Sequence, residues 1–192
     1  MKHYGDLKPK TLPEKIIPQE PEQVSPRHKV LRLNTQVQKL MVAYPVPSVA
    51  HEDIPVLEVM RSVLTSGKSS RLSKALVDSG VMTSIDTYDL DDKDPSILVF
   101  LGNLQRGKKA TQAEQIMLAE IEKFKRAPIS PTELERAKNS LQAQFYEGLS
   151  TPGEKANFLG HYETVSDSFL TGVGVFSKIG AITATQIQAA AK

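Results

Sequence analysis

The sequence contains no cysteine, which excludes disulfide bonds, thiolate catalysis and cysteine-based metal sites. No apolar run approaches the roughly 20 residues of a membrane-spanning helix, and the first residues lack the apolar core of a signal peptide. Neither charge is in excess, because 24 basic and 22 acidic side chains leave a formal net charge of +2. Nucleic-acid-binding surfaces usually carry clustered lysine and arginine. We therefore expect neither nucleic acid nor a membrane as a partner.

The 192 residues suffice for one domain with a single core. Residues 1–26 hold five of the twelve prolines. Because proline fixes φ and lacks a backbone donor, neither a helix nor a central strand can persist there. We predict that residues 1–26 are an extended linker from a preceding domain, with a flexible tail as the alternative. The domain itself is predicted over residues 27–192.

Apolar patterning predicts the main elements of this domain. Four strands are expected, at residues 28–33, 37–44, 82–88 and 97–104. Between the second and third strands, helical spacing of apolar residues predicts helices over residues 56–64 and 70–79. The run from Leu40 to Tyr44 is apolar enough for a buried central strand, which Pro45 would end. The last two strands flank an Asp-rich loop and predict a β-hairpin.

Four capping boxes predict helix starts in the remainder of the chain, at residues 111–114, 130–133, 151–154 and 183–186. In each, a Thr or Ser and a Glu or Gln three residues later satisfy each other's free backbone donors. Strands early in the chain and helices late predict an α+β fold. We expect a two-layer sandwich in which helices cover one face of an antiparallel or mixed sheet.

The histidines are the candidate zinc ligands: His3, His28, His51 and His161. A helical His-x-x-Glu-His site needs two imidazoles on one face and a glutamate as general base. No two histidines are within about 20 residues of each other, so no such site is present. His51 fits the N-terminal end of a helix and His161 an ordinary helical position. We predict no catalytic, cofactor-binding or metal-binding residue in this chain.

Other chemical patterns are incomplete. Residues 66–69, Ser-Gly-Lys-Ser, resemble the end of a phosphate-binding loop, but Ser62 stands where that loop requires glycine. No Gly-x-Ser-x-Gly nucleophile elbow occurs. Aspartates around the hairpin loop could bind calcium, yet they lack the glycine and glutamate of an EF-hand, so a solvated turn is favoured. These aspartates are Asp86, Asp89, Asp91, Asp92 and Asp94.

Several segments in order resemble the C-terminal, non-zinc domain of bacterial pitrilysin/insulinase-type zinc peptidases, a fold shared with mitochondrial processing peptidase subunits. They are residues 4–6, the strand 40–44 with Pro47, the helix with Leu57 and Leu64, residues 67–77 around Ser-Arg-Leu, residues 159–164 and residues 182–188. Each segment alone is weak evidence, but their order and spacing together are fairly specific. The resemblance covers nearly the whole chain. The resemblance implies a metallopeptidase half-module.

The resemblance also implies partners. Family members pack a zinc-bearing N-terminal half on a metal-free half, and two such modules enclose a chamber for peptides. This chain alone would not be catalytic, and zinc is expected in the missing half. The rival interpretation is a degenerate scaffold subunit with the same fold, and a third is an independent small-molecule-binding domain. Bacterial relatives favour the periplasm over the cytoplasm.

Two features depart from the family pattern. The family holds substrate with an Arg/Tyr pair in one of its C-terminal domains, and Val77 and Thr83 stand at those positions. We therefore expect either the copy that follows a zinc half or a degenerate relative, with Arg71 structural and paired with a carboxylate or backbone carbonyl. Family members also continue into a further strand after the final helix. An unpaired sheet edge would favour dimerisation or edge pairing of the isolated domain.

Overall fold

The computed structural model describes Lys8, Lys10, Thr11, Pro21 and residues 23–88 and 90–192. These form two compact units, Met1–Asn34 and Thr35–Lys192. Most of the predicted linker lies outside the described residues, so its boundary at residue 26 stays a prediction. In the first unit, Gln23 Nε2 donates to the Ser25 carbonyl oxygen at 3.1 Å, and the described residues form neither helix nor strand.

The predicted strand at residues 28–33 is wrong. These residues have no ladder partner among those described. Val30, Leu31 and Leu33 are 68–73% exposed. Alternating apolar residues favour an extended strand, but a strand is stable only when its backbone groups find a partner.

In the described part of the chain, three antiparallel strands form one sheet. They are β1 (Lys39–Val46), β2 (Met82–Thr87) and β3 (Ser96–Leu104), in the order β1-β3-β2. The predicted hairpin is confirmed as β2 and β3. The prediction that the Leu40–Tyr44 run is a central strand is wrong, because β3 takes the centre. Pro45 does not end β1 but pairs with Ile97, which an edge strand allows because half of its N–H groups need no ladder partner.

The described residues form six α-helices: α1 (Ile54–Thr65), α2 (Ala110–Arg126), α3 (Pro131–Glu147), α4 (Pro152–Ser166), α5 (Leu170–Ile179) and α6 (Ala184–Ala190). Helix α5 was not predicted, whereas the other five occur in the predicted order. The helix predicted over residues 70–79 is wound as a π-helical turn at Ser73–Asp78, with Leu72 and Leu76 fully buried. Gly80 follows it at a φ of +67°. Only glycine reaches this conformation without a steric penalty from Cβ.

Three capping boxes are confirmed, at the starts of α3, α4 and α6. The fourth is wrong, because α2 begins at Ala110 and Lys109 is its N-cap without a side-chain bond. The amide of Ala110 instead donates to Gln38 Oε1 at 3.0 Å. A side chain from the segment before β1 thus serves the helix end that Thr111 was expected to cap.

The helices lie on one face of the sheet and enclose the core. Helix α1 contacts β2, α2 contacts β1, and helices α3, α5 and α6 pack on α1. The largest fully buried side chains come from both layers: Phe100, Phe124, Ile54, Leu64, Leu72, Leu76, Met82, Leu104, Met117, Ile179, Ile187 and Val49. This confirms the predicted two-layer α+β fold. Within the described part of the chain, no helix has both the length and the apolarity to cross a membrane.

Candidate functional site

Two of the described histidines, His51 and His161, lie near carboxylates, and each contacts one carboxylate. His51 Nδ1 accepts the amide N–H of Asp53 at 3.2 Å and lies 3.6 Å from its Oδ2. His161 Nε2 lies 2.9 Å from Asp91 Oδ2, and this contact joins α4 to the β2–β3 loop. His3 lies outside the described residues. In residues 23–88 and 90–192, no three His, Asp or Glu side chains come together as a metal-ligand set.

Two of the loop aspartates, Asp91 and Asp92, have separate partners. Asp92 accepts the hydroxyl of Ser96, and Asp91 contacts His161. Asp86 lies on β2, and Asp89 is outside the described residues. Lys93, from the same loop, reaches Asp167 at the end of α4 with a 3.4 Å contact. Asp91 and Asp92 thus bind different partners, and no group of three candidate metal ligands forms among the described residues.

The Ser-Gly-Lys-Ser segment lies in the turn between α1 and the π-helical turn. Ser66 is the C-cap of α1, and Gly67 has a φ of +76°. The amide of Ser70 donates back to the Gly67 carbonyl oxygen at 3.1 Å. A phosphate-binding loop connects a strand to a helix, whereas this turn connects two helical segments.

Arg71 is held by a two-point ion pair and by an aromatic ring. Its Nε donates to Glu133 Oε1 at 2.7 Å and its Nη2 to Oε2 at 3.0 Å, while its Cζ lies 4.7 Å from the centre of the Phe124 ring. Glu133 also accepts the amide and hydroxyl of Ser130 in the α3 capping box. Hydrogen bonds from Arg71 and Ser130 lower the pKa of Glu133 to about 2, and those from Arg71 have the larger effect.

The positions aligned with the substrate-holding pair lie at two irregular points of the backbone. Val77 lies in the π-helical turn and packs partly buried against the core. Thr83 falls at a register shift in β2, where its Oγ1 donates to the Asn103 carbonyl oxygen at 3.2 Å. Neither side chain offers the charge or the ring of the family pair.

An aromatic cluster that was not predicted from the sequence lies between α3, α4 and α5. Phe145 stacks on Phe176 with ring centres 4.2 Å apart, and Phe158 meets Phe145 edge-on at 5.6 Å. Gly172 of α5 lies directly beneath Phe158 and Tyr162 of α4. Aromatic residues on three successive helices were the available signal, but their meeting depends on how the helices pack.

These contacts give structural roles to the polar groups that the sequence singled out. Arg71 fastens the start of α3, and His161 and Lys93 connect α4 to the hairpin loop. The protein is thus an α+β domain with a two-layer fold, and the contacts of Arg71, His161 and Lys93 hold its helices and loops in place.

Comparison with known proteins identifies the family. The family described as the peptidase M16 inactive domain matches residues 1–141. The chain therefore belongs to this family. The resemblance to the non-zinc domain of pitrilysin/insulinase-type peptidases is thereby confirmed.

Individual relatives agree with this assignment. The chain is 28% identical over 172 residues to the zinc protease PqqE of Helicobacter pylori, a match that covers 86% of this chain and 38% of that protein. The chain thus spans less than two fifths of the length of this relative. The inactive peptidase domain of a putative zinc protease from Bordetella parapertussis has a similar fold, with a TM-score of 0.74 and 23% identity over 84% of this chain and 86% of its own. A chain of complex III2 from Candida albicans has a TM-score of 0.72, with 14% identity over 82% of this chain and 40% of its own.

Proposed function

We propose that this domain is the metal-free half of a zinc metallopeptidase, packing on a zinc-bearing half and forming part of the wall that encloses peptide substrates. The match of residues 1–141 to the inactive M16 domain carries this proposal. The similarity to a region covering 38% of a zinc protease supports it, because a longer protein has room for a second half.

The chemistry would then be divided between two halves. Zinc in the partner lowers the pKa of its bound water and so supplies the nucleophile for peptide hydrolysis. The metal-free half contributes shape, and a sheet edge can hold an extended peptide through backbone hydrogen bonds that tolerate many sequences. In the described sheet, β1 pairs with β3 along one side only, which leaves its outer edge for such pairing.

A reconstitution assay tests the proposal. The zinc-bearing polypeptide with a His-x-x-Glu-His motif from the same genome is assayed with an unstructured peptide substrate, alone and with this chain. Because enclosure orients the substrate, kcat/KM should rise at least about tenfold when the chain is added. The chain alone should cleave nothing. An unchanged kcat/KM would contradict the proposal.

A scaffold subunit without proteolysis is the second candidate. Its support is the shared fold with a chain of complex III2 from Candida albicans. The presence or loss of the His-x-x-Glu-His motif in the partner distinguishes the peptidase from the scaffold. A partner that binds this chain but has lost the His-x-x-Glu-His residues would favour the scaffold.

Self-association and compartment remain predictions. The isolated domain is expected to dimerise or to pair through the β1 edge, because an open edge presents unpaired backbone groups. Light scattering at high protein concentration tests this, and a strictly monomeric mass would exclude it. The periplasm is proposed on the resemblance to bacterial relatives alone.

A further inference from the structure

Two buried polar atoms have no hydrogen-bond partner among the residues that the structure describes. They are the hydroxyl oxygen of Ser70, a residue with 0% exposure, and Nη2 of Arg136. Buried polar atoms in folded proteins are nearly always paired, because an unpaired one has lost its bonds to water without replacement. Two such atoms in one domain therefore call for a specific partner.

Both atoms belong to one contact between α3 and the turn after α1. Arg136 is on α3, and its Nη1 donates to the carbonyl oxygen of Ser69 at 3.0 Å. That oxygen and the Cα of Ser70 lie in the same planar peptide unit. The guanidinium is therefore bonded to the peptide that carries the buried hydroxyl. We call the contact of Ser69 and Ser70 with Arg136 the Ser70–Arg136 joint.

The charge of Arg136 is not balanced by the chain itself. Glu133, one turn earlier on α3, accepts two hydrogen bonds from Arg71 and two from Ser130. Within residues 23–88 and 90–192, Arg136 forms no ion pair with a carboxylate. A guanidinium that is partly buried without a counter-charge is costly, and buried charges in proteins are normally paired.

The two atoms define the sign of the ligand. A guanidinium carries only N–H donors, so a metal ion or an ammonium group cannot bind at Nη2. The Ser70 hydroxyl can also donate, because its hydrogen rotates to suit its partner. Lys68, exposed in the same turn, adds a further positive charge. Two donors beside an unbalanced cation fit an anion better than a water molecule, which would leave the charge unbalanced.

Burial limits the size of that anion. Each of the two atoms exposes less than 1 Å² to solvent. A phosphate ion would bring four oxygen atoms into this enclosed space, and each would need a donor of its own. The backbone of the turn does not supply them, since the amide of Ser70 donates to the Gly67 carbonyl oxygen at 3.1 Å. A single halide ion needs no further oxygen to be satisfied.

We infer that the Ser70–Arg136 joint binds one chloride ion between Ser70 Oγ and Arg136 Nη2. The ion neutralises Arg136 and fastens α3 to the turn after α1. It acts beside the ion pair of Arg71 with Glu133, which connects the same two elements. This site is structural, and it depends neither on zinc nor on the proposed peptidase function.

The chloride dependence of stability tests the inference. Urea unfolding of the full chain is measured at constant ionic strength while sodium chloride replaces sodium gluconate. A ligand that binds only the folded protein stabilises it in proportion to the logarithm of its concentration above Kd. The urea midpoint should therefore rise with chloride. A midpoint that does not change with chloride would overturn the inference.

Variants assign the chloride effect to the joint. Arg136→Gln and Ser70→Ala should each abolish most of the rise in midpoint, whereas Lys74→Gln, an exposed cation nearby, should retain it. The rise is measured within each variant, so a general loss of stability does not imitate the expected result. An equal chloride dependence in all three variants would indicate general screening and would overturn the inference.

Direct detection does not depend on any variant. Crystals of the unmodified chain grown in sodium bromide should show an anomalous peak between Ser70 Oγ and Arg136 Nη2. A water molecule at this place without an anomalous peak would overturn the inference, and so would peaks at other cations alone, which would show an adventitious ion only. Inorganic phosphate should not replace chloride. Stabilisation by phosphate that requires Arg136 would assign the site to an oxyanion and would also overturn the inference.

Discussion

Arg71 and Glu133, which are 62 residues apart in sequence, form a two-point ion pair with donor–acceptor distances of 2.7 and 3.0 Å. Glu133 is also the third residue of the α3 capping box that begins at Ser130. One carboxylate therefore both caps α3 and fixes α3 to the turn after α1. Planar two-point pairs are among the stronger charged hydrogen bonds, because both donors are aligned at once.

The first prediction concerns the strength of this pair. Arg71→Ala should lower the free energy of unfolding by about 1–2 kcal/mol, since it removes charged hydrogen bonds that are only partly shielded from water. Urea denaturation measures this difference. Lys74→Ala, on the exposed side of the same turn, is the control and should change little. Equal losses for both variants would contradict the assigned role of Arg71.

The second prediction is the pH dependence of the same contact. The pKa of Glu133 is about 2 in the folded protein, below its ordinary value of 4.5. The ionised carboxylate therefore contributes stability that is fully present above pH 4.5 and is lost as the pH falls toward 2.

Glu133→Gln removes this contribution, so its deficit in unfolding free energy should be large near about pH 6 and should shrink between about pH 4.5 and 2. Urea titrations at several pH values measure the deficit. Glu147→Gln, at the exposed end of α3, controls for the loss of a surface charge. A deficit that stays constant with pH would exclude this linkage.

The third prediction tests the packing of α4 on α5. A Cβ added at Gly172 would lie 2.5 Å from Tyr162 Cε2 and 2.6 Å from Phe158 Cζ, so both rings would have to move. Gly172→Ala should destabilise the domain by about 1–3 kcal/mol. Gly174→Ala is the matched control two residues along, where no atom lies within 4 Å.

Because alanine favours helices over glycine, Gly174→Ala should raise stability by up to about 1 kcal/mol. Thermal unfolding followed by circular dichroism compares the two variants. If both shift in the same direction, the close contact beneath Phe158 and Tyr162 is not the cause.

The fourth prediction is that the isolated chain binds no stoichiometric zinc. His51 and His161 each face one carboxylate, whereas a protein zinc site needs at least three ligands. Isothermal titration with zinc chloride should show only weak, non-saturating heats. One tight site lost in His161→Asn or in His51→Asn would refute the predicted absence of metal ligands.

Much of the fold could be predicted because its signals are local. Three helix starts were identified from Ser or Thr followed three residues later by Glu or Gln, since a capping box is complete within four residues. The start of α2 was misplaced, because its first free amide is satisfied by Gln38, which is 72 residues away. Arg71 was expected to pair with a carboxylate or a backbone carbonyl, and Glu133 could not be identified as the partner for the same reason, because it is 62 residues away.

The sequence by itself determined the capped starts of α3, α4 and α6, the β-hairpin and the lack of a paired-histidine zinc motif, because each depends on residues close together in the chain. Only the tertiary structure decided that the apolar strand β1 lies at a sheet edge, and that Met41 and Ile97 form an exposed face with no polar alternation. An apolar run indicates that a strand will be buried, but it does not indicate which part of the protein will cover the strand. Strand order depends on contacts between distant segments, and those contacts are made only when the chain is folded.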